Sequence, residues 1–218
     1  MTQIITIDGP ASSGKGTVAR LIANELGFNY LESGAIYRSL GLWIDQNYPN
    51  MEINLEQVLE LIQNMHLRFI NNQVLLNQVD VTELLRQEKI GILASKYSAI
   101  PLVRQRLLQF QRDFACANGL VTDGRDMGTV VFPNANLKIF LTATSQKRAE
   151  RRYKQLQLFD KSVTITAILD DIIARDQQDI SRTVSPLSYD NSFKLLDNSD
   201  LTIEQTVAMI LSWYQQCI

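Results

Sequence analysis

The clearest pattern in the sequence is Gly9-Pro10-Ala11-Ser12-Ser13-Gly14-Lys15-Gly16-Thr17, which directly follows the short run Ile4–Asp8. It matches the GxxxxGK pattern, in which glycines let backbone N–H groups converge on phosphate oxygens while a helix N-terminus adds positive potential. Helical periodicity begins at Lys15, so strand, loop and helix come in the order that the pattern requires. A chance glycine-rich turn is the alternative, and this agreement argues against it. We predict that residues 9–17 bind the phosphates of a nucleotide.

Two positions in this loop bear on the nucleotide and its metal ion. Lys15 is predicted to place a positive charge beside the β- and γ-phosphates of ATP. The Ser or Thr that usually follows the lysine is replaced by Gly16, and Thr17 comes one place later. Thr17 is therefore the candidate hydroxyl near Mg²⁺, and Asp123, at the end of a later strand, could hold the ion through water.

The rest of the chain alternates short apolar runs with longer segments of helical period, which is typical of an α/β fold with a parallel sheet. The predicted strands are Ile4–Asp8, Phe28–Leu31, Leu120–Asp123, Leu137–Leu141 and Phe193–Leu196. The predicted helices are Lys15–Leu26, Gly34–Gln46, Pro101–Asn118, Ser145–Gln157, Val163–Asp176 and Ile203–Gln216. We expect one P-loop NTPase domain over residues 1–218, with a five-stranded parallel sheet flanked by helices.

Two segments interrupt the alternation. His66–Ile70 and Val74–Leu76 flank Asn71-Asn72-Gln73 and read as a β-hairpin, preceded by the helical pattern Leu55–Met65. We predict that residues of about 47–95 form an inserted subdomain with a small antiparallel sheet. A polar segment between two helical patterns, at about 153–163, is predicted to be a short lid.

Composition excludes several classes of protein. Hydrophobic residues make up 45% of the chain and the net charge is −2, so nothing favours binding to nucleic acid or to a membrane surface. Cys116 and Cys217 are far apart, and the single histidine, His66, lies in an apolar stretch where a structural role is expected. No segment approaches the roughly 20 apolar residues of a membrane-spanning helix. We expect a reduced, cytoplasmic, monomeric protein.

Candidate acceptor-binding residues follow two of the predicted strands, where open α/β sheets place their ligands. After the second strand, Ser33 is predicted as the N-cap of the helix that carries Tyr37 and Arg38. After the third, the run Thr122-Asp123-Gly124-Arg125-Asp126-Met127-Gly128 has glycines that allow a tight loop presenting an arginine with two carboxylates. An ordinary turn with a local ion pair is the alternative.

Two arginine-rich patterns have helical spacing. Arg175, Asp179 and Arg182 are spaced i, i+4, i+7, so one face carries all three if the helix continues beyond its predicted end at Asp176. Two guanidiniums separated by a carboxylate could then hold a phosphate ester. From spacing alone, a solvated stripe of salt bridges is the favoured interpretation. A second face carries like charges at Arg148, Arg151 and Arg152. For that face, an anionic ligand and simple solvation explain the pattern equally well.

These residues together resemble one known family, the bacterial-type cytidylate kinases. The resemblance rests on the runs Ile7-Asp8-Gly9-Pro10 through Gly14-Lys15-Gly16-Thr17, Ser33-Gly34-Ala35-Ile36-Tyr37-Arg38, and Asp123-Gly124-Arg125-Asp126-Met127-Gly128-Thr129-Val130-Val131-Phe132-Pro133. It continues through residues 138–141, 148–152 and 175–186, and so covers nearly the whole chain. The predicted insert fits, because these enzymes carry an enlarged nucleotide-binding insert with a small antiparallel sheet. The resemblance implies transfer of the γ-phosphoryl group of ATP to CMP or dCMP.

The resemblance also implies roles for residues at matching positions. Those similar to the family's cytosine-recognising residues are Ser95, Arg104 and Asp126. Those similar to its acceptor-phosphate clamp are Arg38, Arg125 and Arg182, with Ser33 nearby. Those similar to its sugar contacts are Tyr37, Arg175 and Asp179. Those similar to its lid arginines, which approach the transferred phosphoryl group, are Arg151 and Arg152. The chain departs from the family at Glu32, where aspartate is usual, so that the carboxylate stands one methylene further out.

The expected mechanism is direct in-line transfer without a covalent intermediate. The acceptor phosphate is already ionised near neutral pH, so no strong general base is required, and catalysis consists of positioning and charge neutralisation. Two rivals remain at this point. One is a P-loop kinase for shikimate or a different monophosphate, and the other is a nucleotide-dependent switch.

Overall fold

The structure is a computed structural model that describes residues 2–70, 73–115, 117–157 and 161–217. The chain divides into two units, Met1–Tyr30 with Ala115–Ile218, and Leu31–Phe114. We call them the phosphate-loop unit and the middle unit. The predicted insert, residues 47–95, falls within the bounds of the middle unit. That it forms a separate subdomain stays a prediction. The predicted lid includes Leu158–Asp160, which lie outside the described residues, and it also stays a prediction.

A five-stranded parallel sheet carries the phosphate loop, as predicted. Its strands are β1 (Ile4–Asp8), β2 (Asn29–Glu32), β6 (Leu120–Gly124), β7 (Leu137–Thr142) and β8 (Phe193–Asp197). Their order is β2-β6-β1-β7-β8, with β1 at the centre and Ile7 opposite both Asp123 and Ile139. Each predicted strand is present within a residue or so of its predicted bounds, and the fold class is confirmed.

The central strand separates an apolar face from a polar one. Ile5 and Ile7 are fully buried in a cluster with Val18 and Ile22 of α1 (Lys15–Leu26). Because side chains alternate along a strand, Thr6 and Asp8 belong to the opposite face. The remaining helices of this unit are α6 (Ser145–Leu156), α7 (Ile165–Ser181) and α8 (Ile203–Gln215). The central strand thus ends in a buried carboxylate immediately before the phosphate loop.

The middle unit combines helices with a small antiparallel sheet. Its helices are α2 (Ser33–Asn47), α3 (Leu55–Gln63), α4 (Glu88–Ser98) and α5 (Pro101–Arg112), with a 3₁₀ turn at Leu84–Arg86. Its strands are β3 (Leu67–Ile70), β4 (Gln73–Leu76) and β5 (Val79–Asp80). The hairpin of β3 and β4 is confirmed, while Asn71 and Asn72 of its predicted turn lie outside the described residues. The third strand, β5, was not predicted.

Two helices differ from their predicted bounds and one was missed. The predicted helix Pro101–Asn118 ends at Arg112, because Phe114 leaves the helix and packs edge-on against Phe69 and Phe110. Helix α7 runs beyond its predicted end at Asp176 to Ser181, which brings Arg175 and Asp179 onto helical backbone and leaves Arg182 as the C-cap. Helix α4 was missed because Gly91 weakens its helical signal. Within the described residues, no helix is long and apolar enough to cross a membrane.

Helices α2 and α4 of the middle unit approach closely at Gly41. A Cβ added there would lie 3.1 Å from the Cβ of Leu93 and 3.2 Å from the backbone nitrogen of Ala94. We therefore expect Gly41→Ala to lower the free energy of unfolding by about 1–3 kcal/mol, since the helices must separate. The matched control is Gly34→Ala in the same helix, where the nearest atom would be a carboxylate oxygen of Glu32 at 4.0 Å. Urea unfolding that ranks the two variants equal would contradict this packing.

Candidate active site

The backbone of the phosphate loop depends on glycine at two positions. Gly9 has a φ of +150°, and a Cβ there would lie only 2.0 Å from the carbonyl oxygen of Leu141. Gly14 has a φ of +90° and is the N-cap of α1, where its carbonyl accepts a hydrogen bond from the nitrogen of Val18 at 3.1 Å. These conformations let the loop turn from the sheet into the helix with its amides available to an anion.

Lys15 is buried at the base of the loop. Its Nζ donates to the carbonyl oxygen of Pro10 at 2.6 Å, and the hydroxyl of Ser13 donates to the same oxygen at 3.1 Å. Burial lowers the pKa of the Lys15 ammonium well below its usual value, and repulsion from Arg125 lowers it further, whereas Asp123 and Asp8 oppose the shift. The loop therefore holds a buried cation close to a second cation, an arrangement that an anionic ligand would relieve.

Arg148 fastens the loop from helix α6. Its guanidinium is buried and donates to the carbonyl oxygens of Ala11, at 3.1 Å, and Ala143, at 2.9 Å. It also makes two hydrogen bonds to the carboxylate of Asp176, at 3.1 and 2.6 Å. A planar guanidinium can satisfy all these acceptors at once, which a lysine could not do. For Arg148, the solvated-face interpretation is wrong, and the side chain supports the loop.

Asn198 and Arg151 hold the other side of the loop. The side-chain amide of Asn198 donates to the carbonyl oxygen of Ser13 at 3.0 Å. Arg151 donates to the same oxygen at 3.3 Å, to the Asn198 side-chain oxygen at 3.0 Å and to the Asn198 carbonyl at 2.7 Å. The structure thus places Arg151 beside the phosphate loop, and its role as a lid arginine stays a prediction. Arg152, its neighbour on α6, is partly buried.

The unusual glycine after Lys15 has a local explanation. A Cβ on Gly16 would lie 3.3 Å from the hydroxyl of Tyr30 and 4.0 Å from a carboxylate oxygen of Asp123. Tyr30 donates that hydroxyl to the same Asp123 oxygen at 2.7 Å. Burial raises the pKa of the Asp123 carboxyl, while Lys15 and the Tyr30 hydrogen bond oppose this shift. Thr17, the other predicted metal residue, is exposed on the first turn of α1.

Arg125 and Arg182 share one buried carboxylate. The Nε of Arg125 donates to Asp179 at 2.6 Å, and Arg182 forms an ion pair with the other oxygen of Asp179. Asp179 is only 1% exposed and the Arg182 side chain only 9%, so this part of the pattern is not a solvated stripe. Arg125 pairs with a distant residue rather than within its own turn, which also rules out the ordinary-turn alternative. Arg175 is half-buried on the same helix.

Asp126 begins a short π-helical turn at Met127–Val131. The residue is 3% exposed, and its carbonyl accepts hydrogen bonds from the nitrogens of Val130 at 2.9 Å and Val131 at 3.1 Å. The preceding strand ends at Gly124, so Arg125 and Asp126 lie at the carboxyl edge of the sheet, as the sequence predicts.

The predicted residues of the middle unit are held by its own helices. Arg38 donates to the carbonyl oxygen of Leu85 at 2.8 Å, and its guanidinium lies against Gly91, where a Cβ would come within 3.2 Å of it. The guanidinium of Arg104 lies over the Tyr37 ring, 5.3 Å from its centroid. Gly91 therefore serves to admit Arg38 between the helices.

Two serines complete this part of the predicted site. Ser33 was predicted to be an N-cap, and this is wrong: the cap residue is Glu32, and the Ser33 hydroxyl donates instead to Gln111 at 2.9 Å. Ser95 is half-buried on α4, and its carbonyl accepts the hydroxyl of Ser98 at 3.1 Å. Arg104 donates to the carbonyl of Ser98 at 3.1 Å, which ties it to the helix that carries Ser95.

Sequence reasoning missed the residues that support these groups. They are Asp8, Tyr30, Gly91, Gln111 and Asn198, and the support that Arg148 gives to the loop was missed as well, although its charge was noted. Each acts by a hydrogen bond or a close approach to a residue far away in the sequence, and spacing carries no signal of that kind. The one available signal was Asp8, a carboxylate at the end of an otherwise apolar central strand.

A phosphate loop at the carboxyl edge of a parallel sheet, with buried arginines near its lysine, defines a P-loop phosphotransferase. A model of the cytidylate kinase family matches residues 5–216 of the chain. The cytidylate kinase of Polynucleobacter asymbioticus is 46% identical over 215 residues, which cover 99% of this chain and 97% of that protein. The cytidylate kinase of Neisseria meningitidis serogroup C is 47% identical over 214 residues, 98% of each protein. The chain belongs to the cytidylate kinase family.

This membership confirms the resemblance and the class of enzyme that the sequence predicts, a nucleotide-binding kinase with cytidylate as acceptor. Among solved structures, an uncharacterized protein from Eubacterium ventriosum has a TM-score of 0.56 at 14% identity and covers 99% of each chain. At that identity, the likeness supports the fold alone.

The buried carboxyl of Asp8 generates a pH-dependent contribution to stability. Burial raises its pKa from 3.8 to about 7, against the opposing hydrogen bonds from the backbone of Gly128 and Met127. The folded state therefore binds this proton more tightly than the unfolded state. The resulting stability is fully present below the unfolded pKa and is lost as the pH rises to about 7.

We expect the unfolding free energy of the wild type, relative to Asp8→Asn, to fall by up to roughly 1.4 kcal/mol per pH unit between about pH 5 and about pH 7. It should then level off. Urea unfolding of both proteins across this range measures the difference in unfolding free energy. Because all other titratable groups are the same in both proteins, their contributions cancel in this difference. A difference that stays flat, or that rises with pH, would contradict the assignment.

Arg148 generates a second prediction. Arg148→Met leaves Asp176 and the carbonyls of Ala11 and Ala143 without their partner, so we expect the unfolding free energy to fall by about 3 kcal/mol. The dissociation constant for ATP should rise, because the loop backbone is no longer fixed. Lys147→Met is the matched control, since Lys147 pairs with Asp200 at 3.6 Å in an exposed position. Its cost should be below about 1 kcal/mol. Equal stability and ATP affinity in the two variants would refute the role of Arg148.

Proposed function

We propose that this chain transfers the γ-phosphoryl group of ATP to CMP or dCMP by direct in-line displacement, with release of ADP and the cytidine diphosphate. The main observation that supports this proposal is that positively charged side chains lie around the phosphate loop. Lys15 is buried, and Arg125 lies near enough to lower its pKa. Like charges held this way favour a ligand with several negative charges, such as two phosphate groups about to react.

ATP binds through residues 9–17, with Lys15 beside its β- and γ-phosphates. The loop can offer its amides because its carbonyls are occupied by other groups. Arg148 takes the carbonyl of Ala11, while Asn198 and Arg151 take that of Ser13. A preorganised cradle of this kind need not be reorganised when charge moves from one phosphate to the other.

We assign residues of both units to binding of the acceptor nucleotide, and the evidence is given for each unit separately. In the phosphate-loop unit, Arg125 and Arg182 hold the acceptor phosphate, and the buried carboxylate of Asp179 sets their spacing. Asp179 and Arg175 are assigned to the sugar, and Asp126 to the cytosine. In the middle unit, the residues assigned to the acceptor are Ser33, Tyr37, Arg38, Ser95 and Arg104. The close packing of Arg38 against Gly91 and of Arg104 against Tyr37 supports fixed orientations for both guanidiniums.

No general base is needed for this reaction. The attacking oxygen belongs to a phosphate that is ionised near neutral pH, so the protein only aligns the two phosphates and neutralises their charge. The groups assigned to that neutralisation are Lys15, Arg125, Arg151, Arg152 and Arg182. Exclusion of water from the site prevents its attack on the phosphoryl group.

The donor atoms near Lys15 fit a magnesium ion. Asp123 is a buried carboxylate with one oxygen engaged by Tyr30, and we assign it, through water, and Thr17 to the ion. Among the described residues, no three His, Cys, Asp or Glu side chains form a metal-binding group, so phosphate oxygens of the nucleotide would supply ligands. A bound Mg²⁺ would supply positive charge to the phosphates of the nucleotide.

The preference for cytosine follows from hydrogen-bond matching. Cytosine offers its N4 amino group as a donor, which the carboxylate of Asp126 can accept. Uracil presents an oxygen at that position, which the carboxylate repels, so the wrong base leaves a buried polar group unpaired. We further propose that the enzyme acts as a monomer in the cytoplasm. We also propose that it binds neither nucleic acid nor membranes, and the net charge of −2 supports this second point.

The test of this proposal is the acceptor preference of the wild type and of Asp126→Ala. We expect the wild type to use CMP and dCMP far better than UMP. In the variant, kcat/KM for CMP should fall by roughly 100-fold while that for UMP rises, since cytosine loses a hydrogen bond and uracil loses a repulsion. Asp171→Ala, on an exposed face of α7, is the control and should keep the wild-type ratio. An unchanged CMP to UMP ratio in Asp126→Ala would remove Asp126 from base recognition.

A further inference from the structure

We propose that Asp8 is a positioning residue for cytosine recognition, because its carboxylate fixes the peptide group that follows Asp126. The inference rests on the proposed function, in which Asp126 accepts a hydrogen bond from the base. Asp8 itself contacts no substrate in this assignment. It acts through the backbone of the turn that carries Asp126.

The side chain of Asp8 binds that turn through both of its oxygens. Its Oδ1 accepts a hydrogen bond from the nitrogen of Met127 at 2.8 Å, and its Oδ2 accepts one from the nitrogen of Gly128 at 2.7 Å. The residue has no exposed surface. Above its pKa of about 7 the Asp8 carboxyl is ionised, and hydrogen bonds from amides to an ionised carboxylate are among the stronger ones in proteins. Two of them act here on consecutive residues.

These bonds determine the orientation of one particular peptide group. The nitrogen of Met127 and the carbonyl of Asp126 belong to the same planar unit. Asp8 binds the nitrogen side, while the nitrogens of Val130 and Val131 bind the carbonyl side at 2.9 and 3.1 Å. With both sides held, the peptide group cannot rotate, and the direction in which the Asp126 side chain leaves the backbone is fixed.

Packing prevents the turn from moving away from Asp8. A Cβ on Gly128 would lie 2.7 Å from both the Phe193 ring and the hydroxyl of Thr6, so this residue already fills the available space. The side chain of Met127 packs over Gly124, where a Cβ would come within 2.8 Å of it. The turn is therefore packed closely against β1, β6 and β8 of the sheet, and the hydrogen bonds of Asp8 fix its position.

Burying the Asp8 carboxylate costs free energy of folding, and this cost argues for a functional role. Asp8 is a buried carboxylate that is repelled by Asp126, a second buried carboxylate. A buried asparagine would avoid the charge but would turn an N–H toward one of the two amides. Only a carboxylate accepts from both amides at once.

The experiment compares wild type and Asp8→Asn in steady-state kinetics with CMP, UMP and ATP varied separately. We expect KM for CMP to rise about tenfold and the CMP to UMP ratio of kcat/KM to fall about tenfold, which corresponds to the loss of about 1.4 kcal/mol. KM for ATP should stay within about twofold. A purely structural role would lower the activity without changing the ratio.

A double variant tests whether Asp8 acts through Asp126. In an Asp126→Ala background, Asp8→Asn should change the CMP to UMP ratio less than about twofold, because the group being positioned is gone. Asp171→Asn serves as the exposed control. If Asp8→Asn fails to fold, Gly128→Ala provides the test. Its added Cβ should move the turn away from Asp8 without changing Asp8 itself, and it should therefore reproduce the raised KM for CMP.

Three results would overturn the inference. One is an unchanged base preference in folded Asp8→Asn or Gly128→Ala. Another is a rise in KM for ATP as large as that for CMP, because Gly9 follows Asp8 and the effect would then lie in the phosphate loop. A third is a full additional loss in the double variant. If the wild type itself does not phosphorylate CMP, the proposed function fails, which is a separate and recognisable outcome.

Discussion

The carbonyl oxygens of the phosphate loop must be bound elsewhere if its amides are to face an anion, and this constraint organises the phosphate-loop unit. Lys15 binds the carbonyl of Pro10, Arg148 binds that of Ala11, and Asn198 binds that of Ser13. These groups come from α1, α6 and the end of β8, so the helices and the sheet must all be in place before the loop has its shape. The fold is thus a support for one short stretch of backbone.

The same unit concentrates charge that the fold alone does not need. Asp179 lies buried between Arg125 and Arg182, and burial together with Arg125 depresses the pKa of Lys15. Removing water from charged groups costs free energy, which their mutual attraction only partly offsets. An enzyme that must align two phosphates gains from cations held in advance, because their orientation is already fixed when the substrates arrive.

The fold could be predicted from the sequence, and so could the positions of several candidate site residues at the ends of strands, since both rest on local patterns. The run from Gly9 to Thr17 follows a strand and opens a helix, and the strand ends place Arg125 and Asp126 at the sheet edge. What could not be predicted depends on tertiary contacts. Ser33 was assigned to a cap because it begins a helix, yet its hydroxyl bonds to Gln111, 78 residues away. No local pattern distinguishes these two uses of a serine.

The central claim is that the bound triphosphate is used to phosphorylate cytidylate, and the direct measurement is the release of ADP from ATP and Mg²⁺. CMP, dCMP, UMP, AMP and shikimate are offered separately as acceptors. The account predicts fast turnover with CMP and dCMP and little with the others. Turnover confined to another acceptor would contradict the base assignment while leaving a P-loop kinase. Slow hydrolysis that no acceptor accelerates would contradict the account as a whole.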